Sequence, residues 1–243
     1  MVSPAAQSTQ AEHFQEGGPL GVVISTNVAE PIPCPTGEDK VSGIHKIPHQ
    51  NISVFMPGPN YGDGSGVKGD VIGDIKHHGG ADKAVYAFAR EELDYWGSLS
   101  GIPYPHGHFG ENLTTEGVLW TQAVINQQVR IGTALLEVSV PRQPCRTFAS
   151  WLKIKGWVKQ FTEHGDAGCY FRVIEPGVIT SGDLIEFLPA PEHGVTMGEA
   201  FAAKMGNKEL AQKVYDARCL PGHHHQQLGK LLGIRCAPRH MAS

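Results

Sequence analysis

The chain has 243 residues, of which 40% are hydrophobic and 18% charged, and its formal net charge is −4. This length suits one substantial core with a small appendage, and the composition excludes wholesale disorder. The acidic balance, without any basic stripe, argues against nucleic acid as a partner, and no apolar run is long enough to cross a membrane.

The first part of the chain combines a polar start with predicted β-strands. Residues 1–19 lack the basic start and apolar core of a secretory signal, so we expect a flexible N-terminal tail and a cytoplasmic protein. Apolar residues at 21–28 and 52–55 then predict two strands, separated by a long loop rich in proline, glycine and lysine.

The middle of the chain predicts further strands at close spacing. Residues 84–88 read as a buried strand followed by a helix from Arg90, and 124–140 as two strands divided at Gly132. Two more strands flank the turn at 181–183. Short strands, with many glycines and prolines between them, predict a mainly β fold of the barrel or sandwich type over residues 20–190.

After His193 the sequence pattern changes from short predicted strands to helix signals. Thr196 and Glu199 form a capping box, Asn207 suits a second helix start, and Leu228, Leu231 and Leu232 recur at helical spacing. We expect three short helices in a C-terminal extension at 195–235.

Five cysteines form an odd set without a CxxC pair, namely Cys34, Cys145, Cys169, Cys219 and Cys236. This fits neither a disulfide framework nor a structural zinc or iron-sulfur site, and it indicates a reducing compartment. Cys145 stands out because Pro144 precedes it and Arg142 and Arg146 flank it. We expect the thiol at the end of a strand, where guanidinium charge favours the thiolate that binds soft metals; a buried structural cysteine is the alternative.

A second polar run lies at 77–83 and combines imidazoles, a carboxylate and an ammonium group around two glycines. Its members are His77, His78, Gly79, Gly80, Asp82 and Lys83. Glycines let the backbone approach a ligand closely, so the run suits a polar or anionic cofactor, and a plain turn between strands would look the same.

Other polar residues give weaker signals. Glu111 and Asn112 follow Gly110 and offer acceptors and donors to a heterocycle, although a simple turn would also use them. Arg130 and Arg172 lie on predicted strands and could meet a phosphate, although surface salt bridges are the usual fate of such residues.

Two letter patterns are rejected as sites. Residues 64–69 match GxGxxG, but no strand leads into them and no amphipathic helix follows. The histidines at 223–225 point in different directions on a helix, which makes a helix start or an exposed patch the better interpretation than a metal site.

Several motifs occur together in the order typical of MOSC-domain proteins. They are Gly69-Asp70, His78-Gly79-Gly80-x-Asp82-Lys83-Ala84, Phe109-Gly110-Glu111-Asn112-Leu113, Pro141-Arg142-x-Pro144-Cys145 and Ser181-Gly182-Asp183. The chain resembles the YiiM-like branch of this family over residues 21–188, and the predicted helices resemble the extension of that branch. The resemblance implies a MOSC-type β-barrel with a few peripheral helices.

The resemblance also implies a molybdenum-pterin cofactor held by Cys145, and reduction of N-hydroxylated compounds such as hydroxylaminopurine-type bases or amidoximes. His78 and Asp82 would join Cys145 in catalysis. The residues expected to bind the cofactor are His77, Gly79, Gly80, Lys83, Glu111, Asn112, Arg130, Arg142 and Arg146. The loop at 57–66 is longer than we expect for the family, which bears on substrate access.

Because the sequence carries no flavin, haem or iron-sulfur signature, such a reductase would need an external electron-donor reductase as a partner. A non-catalytic module that carries the cofactor or a sulfur atom on Cys145 is the main alternative. A cysteine hydrolase, with His77 or His78 as base, is a third. Either a monomer or a homodimer fits the sequence.

Overall fold

The computed structural model describes residues 18–234, with side chains from residue 21 onward. Most of the predicted tail, and Cys236 with it, lies outside the described residues. The first strand begins at Gly18, just before the expected end of the tail. No described helix is long and apolar enough to cross a membrane.

Seven strands close into a β-barrel. Around the barrel their order is β12 (Leu184–Phe187), β8 (Gln128–Ile131), β9 (Ala134–Val138), β10 (Cys169–Glu175), β6 (Val85–Ala89), β7 (Leu113–Glu116) and β1 (Gly18–Ala29). The ring closes because the first half of β1 pairs with β12, Val22 lying opposite Leu184. The prediction of a β-barrel core with peripheral helices is confirmed.

Short strands lie outside this ring. They are β2 (Ile32–Pro33), β3 (Val41–Ser42), β4 (Lys46–His49), β5 (Asn51–Val54) and β11 (Gly177–Thr180). β4 pairs with the second half of β1, and β5 pairs with β11. β4 corrects the expectation of an uninterrupted loop before His49. It lies at an edge, where a proline such as Pro48 is tolerated.

One face of the barrel is covered by three helices. α1 (Arg90–Ser100) connects β6 to the parallel strand β7, while α2 (Arg146–Leu152) and α3 (Trp157–His164) precede β10. They pack through an aromatic cluster of Trp96, Phe109, Phe148, Trp157 and Phe161, each at most 2% exposed. Aromatic rings of this size bury much apolar area, so the cluster fixes the helices against the barrel.

Three C-terminal helices follow, as predicted: α4 (Met197–Lys204), α5 (Lys208–Ala217) and α6 (Gly222–Leu231). Thr196 and Glu199 form the expected capping box, and Asn207 caps α5 by accepting from the Leu210 N–H. The backbone also ties the start of the extension to the barrel, since the Ile125 N–H donates to the Val195 carbonyl at 2.9 Å.

Candidate functional site

One cleft gathers most of the polar motifs. It is a partly open cleft that brings together side chains from distant parts of the sequence. Its walls come from the β3–β4 region, the loops at 70–74 and 78–84, Gly110 with Asn112, the segment 142–147, and two barrel tyrosines, Tyr86 and Tyr170.

Cys145 lies in this cleft and is partly buried. It is the N-cap of α2, where its Sγ accepts a hydrogen bond from the Phe148 N–H at 3.5 Å. The expected position at a strand end is therefore corrected: β9 ends at Val138, and the thiol stands at the start of a helix. A side-chain acceptor at this position satisfies a backbone donor that the helix leaves free.

Arg142 lies against the same part of the cleft and is 4% exposed. Its Nη1 donates to the Phe109 carbonyl, and its guanidinium lies 3.9 Å from the Phe148 ring centroid and 4.9 Å from that of Tyr86. Its buried Nε has no hydrogen-bond partner among the described residues. The residue thus brings a fixed positive charge and a spare donor to the cleft.

Lys83 supplies a second cation in the cleft. Its Nζ donates to the His77 carbonyl at 2.7 Å and lies over two rings, 4.7 Å from the Tyr61 centroid and 5.6 Å from the Tyr170 centroid. Burial, and after it the charge of Arg142, lowers the pKa of Lys83 to about 8. At neutral pH the amine therefore carries a proton that it can release readily.

His78 also lines the cleft, with its Nδ1 3.4 Å from the Tyr170 hydroxyl. Burial, followed by the charges of Lys83 and Arg142, lowers the pKa of His78 to about 3. The imidazole is thus neutral at physiological pH. It can donate one hydrogen bond and accept another, but it has no extra proton to give to a substrate. Gly79, next to it, has φ +79 and approaches the Gly64 carbonyl too closely for a side chain.

A buried ion pair forms another wall. Lys46 Nζ lies 2.5 Å from Oδ1 and 2.6 Å from Oδ2 of Asp70. Asp70 also accepts from Asn112 Nδ2 at 3.0 Å and from Ser65 Oγ at 3.0 Å. Asn112 therefore lines the cleft, as predicted, but its amide is committed to this carboxylate.

Three predicted charged residues make ion pairs or face solvent instead of lining the cleft. Asp82 accepts from Arg172 Nε at 2.7 Å, so its role is to hold the turn before Lys83. Arg130 lies 3.4 Å from Glu175 on the outer surface, and Arg146 is exposed. Arg172 and Glu175, the partners of Asp82 and Arg130, are distant from them in sequence and could not be predicted from the motifs.

The remaining predicted residues also lie outside the cleft lining. His77 is exposed and hydrogen-bonds Asp74 through Nδ1. Glu111 is fully buried and accepts from the Gly107 N–H at 2.6 Å and the Phe109 N–H at 3.0 Å. Gly80 is buried behind the wall, where it faces the loop at 57–66.

Several residues that line the cleft were not predicted as site residues from the sequence: Cys34, Lys40, Ser42, Lys46, Ser65, Tyr86, Thr147 and Tyr170. Residues 40–46 carry three of them, Lys40, Ser42 and Lys46, and the two lysines of this segment were available as a signal. Tyr86 and Tyr170 lie on barrel strands, where aromatic residues are common and usually pack in the core. Their residue type therefore did not indicate a role in a site.

The donor set of the cleft fits a molybdenum-pterin cofactor. A thiol supplies a soft ligand, and Lys40, Lys83 and Arg142 supply positive charge and donors for an anionic, heteroatom-rich molecule. Arg142 Nε is a buried donor that still lacks a partner in residues 18–234. No group of three or more His, Cys, Asp or Glu side chains in this part of the chain could hold a metal ion. The described side chains around Cys145 therefore do not form a complete metal site on their own.

Comparisons with known proteins agree with this arrangement. The model of the MOSC domain matches residues 74–186. The uncharacterized protein YflK of Bacillus subtilis is 32% identical over 176 residues, covering 72% of this chain and 76% of YflK. Protein YiiM of Escherichia coli is 31% identical over 140 residues, covering 56% of this chain and 62% of YiiM.

A protein of Gibberella moniliformis named "Reductase" is 32% identical over 160 residues, which are 64% of this chain but 27% of that protein. Among solved structures, YiiM of Geobacillus stearothermophilus superposes with a TM-score of 0.68 at 25% identity, covering 87% of this chain and 99% of that one. YiiM of E. coli superposes with a TM-score of 0.66 at 20% identity, covering 88% and 93%. Together with the barrel, the ordered motifs and the cleft around Cys145, these matches show that the chain belongs to the MOSC-domain family, as a YiiM-like member.

Proposed function

We propose that this protein is a molybdenum-cofactor-dependent reductase that removes oxygen from N-hydroxylated compounds. The observation that carries the proposal is the position of the Cys145 thiol in a cleft whose lining also contains the cations Lys83 and Arg142. The name of the Gibberella relative, "Reductase", supports redox chemistry in this family.

When bound, the cofactor would supply the two electrons that the reduction consumes. The balanced reaction converts R–NH–OH, two electrons and two protons into R–NH₂ and water. Cys145 would hold the metal through its Sγ, and Lys40 and Arg142 would bind the anionic and heterocyclic parts. A separate reductase would deliver the electrons.

The chain itself must deliver protons to the departing oxygen. Lys83 is suited to this task because its pKa of about 8 is close to neutral pH, where a general acid is most effective. His78 is not suited, because its lowered pKa leaves it neutral. It would instead orient the substrate by a hydrogen bond, next to the Tyr170 hydroxyl, whose pKa burial raises.

The proposal is tested with protein purified from a molybdenum-replete host. Molybdenum is measured by plasma mass spectrometry, and pterin by fluorescence after oxidation. Loss of 6-hydroxylaminopurine is followed with a chemical reductant. Wild-type protein should contain molybdenum and pterin in equal amounts and should turn over.

Cys145→Ser is the decisive variant, because serine still caps α2 while losing the soft ligand. It should lose the metal and turnover. Cys219→Ser, at a buried cysteine outside the cleft lining, is the matched control and should keep both. Molybdenum without turnover in the wild type would favour the carrier alternative, and activity retained by Cys145→Ser would contradict the proposal.

A further inference from the structure

The loop at 57–66, hereafter the Tyr61 loop, forms the outer support of the cleft wall. Its backbone is joined to the segment 78–81 by three hydrogen bonds: Gly62 N–H to the His78 carbonyl at 3.0 Å, Gly80 N–H to the Gly64 carbonyl at 2.8 Å, and Ala81 N–H to the Gly58 carbonyl at 2.9 Å. The loop and the wall are therefore joined along their backbones.

The side chain of Tyr61 reaches from this loop to Lys83. The ammonium nitrogen lies 4.7 Å from the Tyr61 ring centroid, with the Tyr170 ring on another side at 5.6 Å. A cation attracted to a ring face is restrained by it. A lysine side chain otherwise has four flexible carbons and many rotamers, so the two rings and the His77 carbonyl together fix the amine.

The hydroxyl of Tyr61 points away from the cleft and into the C-terminal extension. It lies 2.7 Å from Nε2 of His224 on α6, a side chain that is only 2% exposed. The other ring nitrogen of His224 hydrogen-bonds Lys204 Nζ on α4, and Lys204 donates to Gln227 on α6 at 2.9 Å. A continuous chain of contacts thus runs from α4 and α6 to Lys83.

This junction is more polar than attachment of the extension requires. Apolar side chains would join two surfaces without the desolvation cost of a buried imidazole and a half-buried amine. That cost is evident in both groups: burial lowers the pKa of His224 to about 2 and that of Lys204 to about 7. The hydrogen bonds of His224 to Tyr61 and Lys204 hold the Tyr61 ring in one direction.

We infer that the three-helix extension positions the Lys83 amine in the cleft, acting through His224 and Tyr61. His224 and Tyr61 are positioning residues, because neither is among the residues that line the cleft. The inference rests on the proposed function for the use of Lys83 as proton donor, but the positioning itself can be measured without cofactor or turnover.

The test measures the reactivity of the Lys83 amine in intact protein. Lysines are acetylated with trace acetic anhydride at a series of pH values, and each is quantified by peptide mass spectrometry. Lys159, whose side chain is 80% exposed, serves as internal reference. The charged and titratable groups around Lys83 come from the cleft and from the extension: Arg142, Cys145, Asp74, Asp82, His78, Tyr61 and Tyr170, together with Lys204, His223 and His224. All of them except His224 itself remain in the His224 variant, and Tyr61→Phe keeps every group but the Tyr61 hydroxyl.

Tyr61→Phe and His224→Phe are the test variants, since each breaks the hydrogen bond between ring and helix while keeping an aromatic side chain. In both variants the aromatic side chain at position 61 is no longer held by α6, so we expect it to move and to let water reach the Lys83 amine. The pH midpoint of Lys83 labelling should therefore rise by about half a pH unit or more. His225→Phe, the neighbouring position on α6 that stacks on Tyr215, and Tyr95→Phe, on the exposed face of α1, should leave the midpoint unchanged.

Unchanged Lys83 profiles in both test variants would overturn the inference. Tyr61→Phe removes only the hydroxyl oxygen and should fold, so it tests the inference even if His224→Phe does not fold. With cofactor-loaded protein, the same variants should lower kcat several-fold and leave KM near its wild-type value. A protein that lacks molybdenum would contradict the proposed function and leave the labelling result interpretable.

Discussion

Lys46 and Asp70 form an ion pair in the cleft wall whose side chains are 6% and 1% exposed, respectively. Asp70→Asn would leave the Lys46 ammonium group buried without its counter-charge, at a cost of about 3–5 kcal/mol in the free energy of unfolding. Urea denaturation measures this cost. Glu163→Gln, which breaks the exposed pair with Lys159, should cost at most about 0.5 kcal/mol. Equal effects of the two substitutions would contradict the prediction.

The same pair predicts acid sensitivity. Burial alone would raise the pKa of Asp70, but the charge and hydrogen bonds of Lys46 hold it below its ordinary value. The stability that this carboxylate contributes is therefore present above the unfolded-state pKa, and it is lost as the pH falls through the lower folded-state pKa. Unfolding free energies measured at several acidic pH values should fall more steeply for the wild type than for Asp70→Asn.

Glu111 predicts the opposite pH dependence. Burial raises its pKa to about 7, against the influence of its backbone hydrogen bonds. The folded protein thus retains a proton that the unfolded chain has lost, and stability falls as the pH rises from about 4.3 to 7. Glu111→Gln should reduce the stability difference between pH 5 and pH 8 by roughly 2–4 kcal/mol. The exposed Glu116→Gln serves as control, and an unchanged difference in Glu111→Gln would refute the assignment.

Gly80 cannot be replaced without moving the Tyr61 loop. It has φ +73 and ψ 176, and an added Cβ would lie 2.1 Å from the Asn60 carbonyl oxygen. Gly80→Ala should therefore cost more than about 3 kcal/mol. Gly101→Ala has nearly the same φ, +70, with nothing within 4 Å, and should cost only about 1–2 kcal/mol. Thermal and urea unfolding of both variants would check the ranking.

Arg142→Lys keeps the charge but loses the planar group that lies on Phe148 and Tyr86. We expect a loss of about 1–3 kcal/mol and weaker retention of molybdenum, since a lysine cannot repeat this stacking. Arg130→Lys, in its exposed pair with Glu175, should change stability by less than about 0.5 kcal/mol. Indistinguishable behaviour of the two variants would show that only the charge of Arg142 matters.

Local rules predicted several features correctly because the residues that decide them are neighbours in sequence. Thr196 and Glu199 cap α4, Asn207 caps α5, and Gly132 makes the turn between β8 and β9 at φ +57. Each of these depends on side chains or backbone angles within a few residues. The ordered motifs added the long-range information that Cys145, His78, Lys83 and Asn112 share one cleft.

The partners of charged residues could not be predicted in the same way. Asp82 meets Arg172, and Glu111 folds back on its own loop, so neither reaches the cleft despite its place in a motif. Lys46 was missed because it lies on β4 while its counter-ion, Asp70, lies on a loop 24 positions further along the chain. α2 and α3 were missed as well, since short helices have weak periodicity and owe their stability to tertiary packing.

The number of strands in the closed ring is odd, and this decides where two of the cleft residues lie. Strands that alternate in direction can close a ring only when their number is even, so seven strands require at least one pair that runs the same way. Here that pair is β6 and β7, and its members begin at the same rim. Lys83 and Asn112 each come shortly before one of these strands and are thereby brought to the same rim, whereas a hairpin between the two strands would place them at opposite rims.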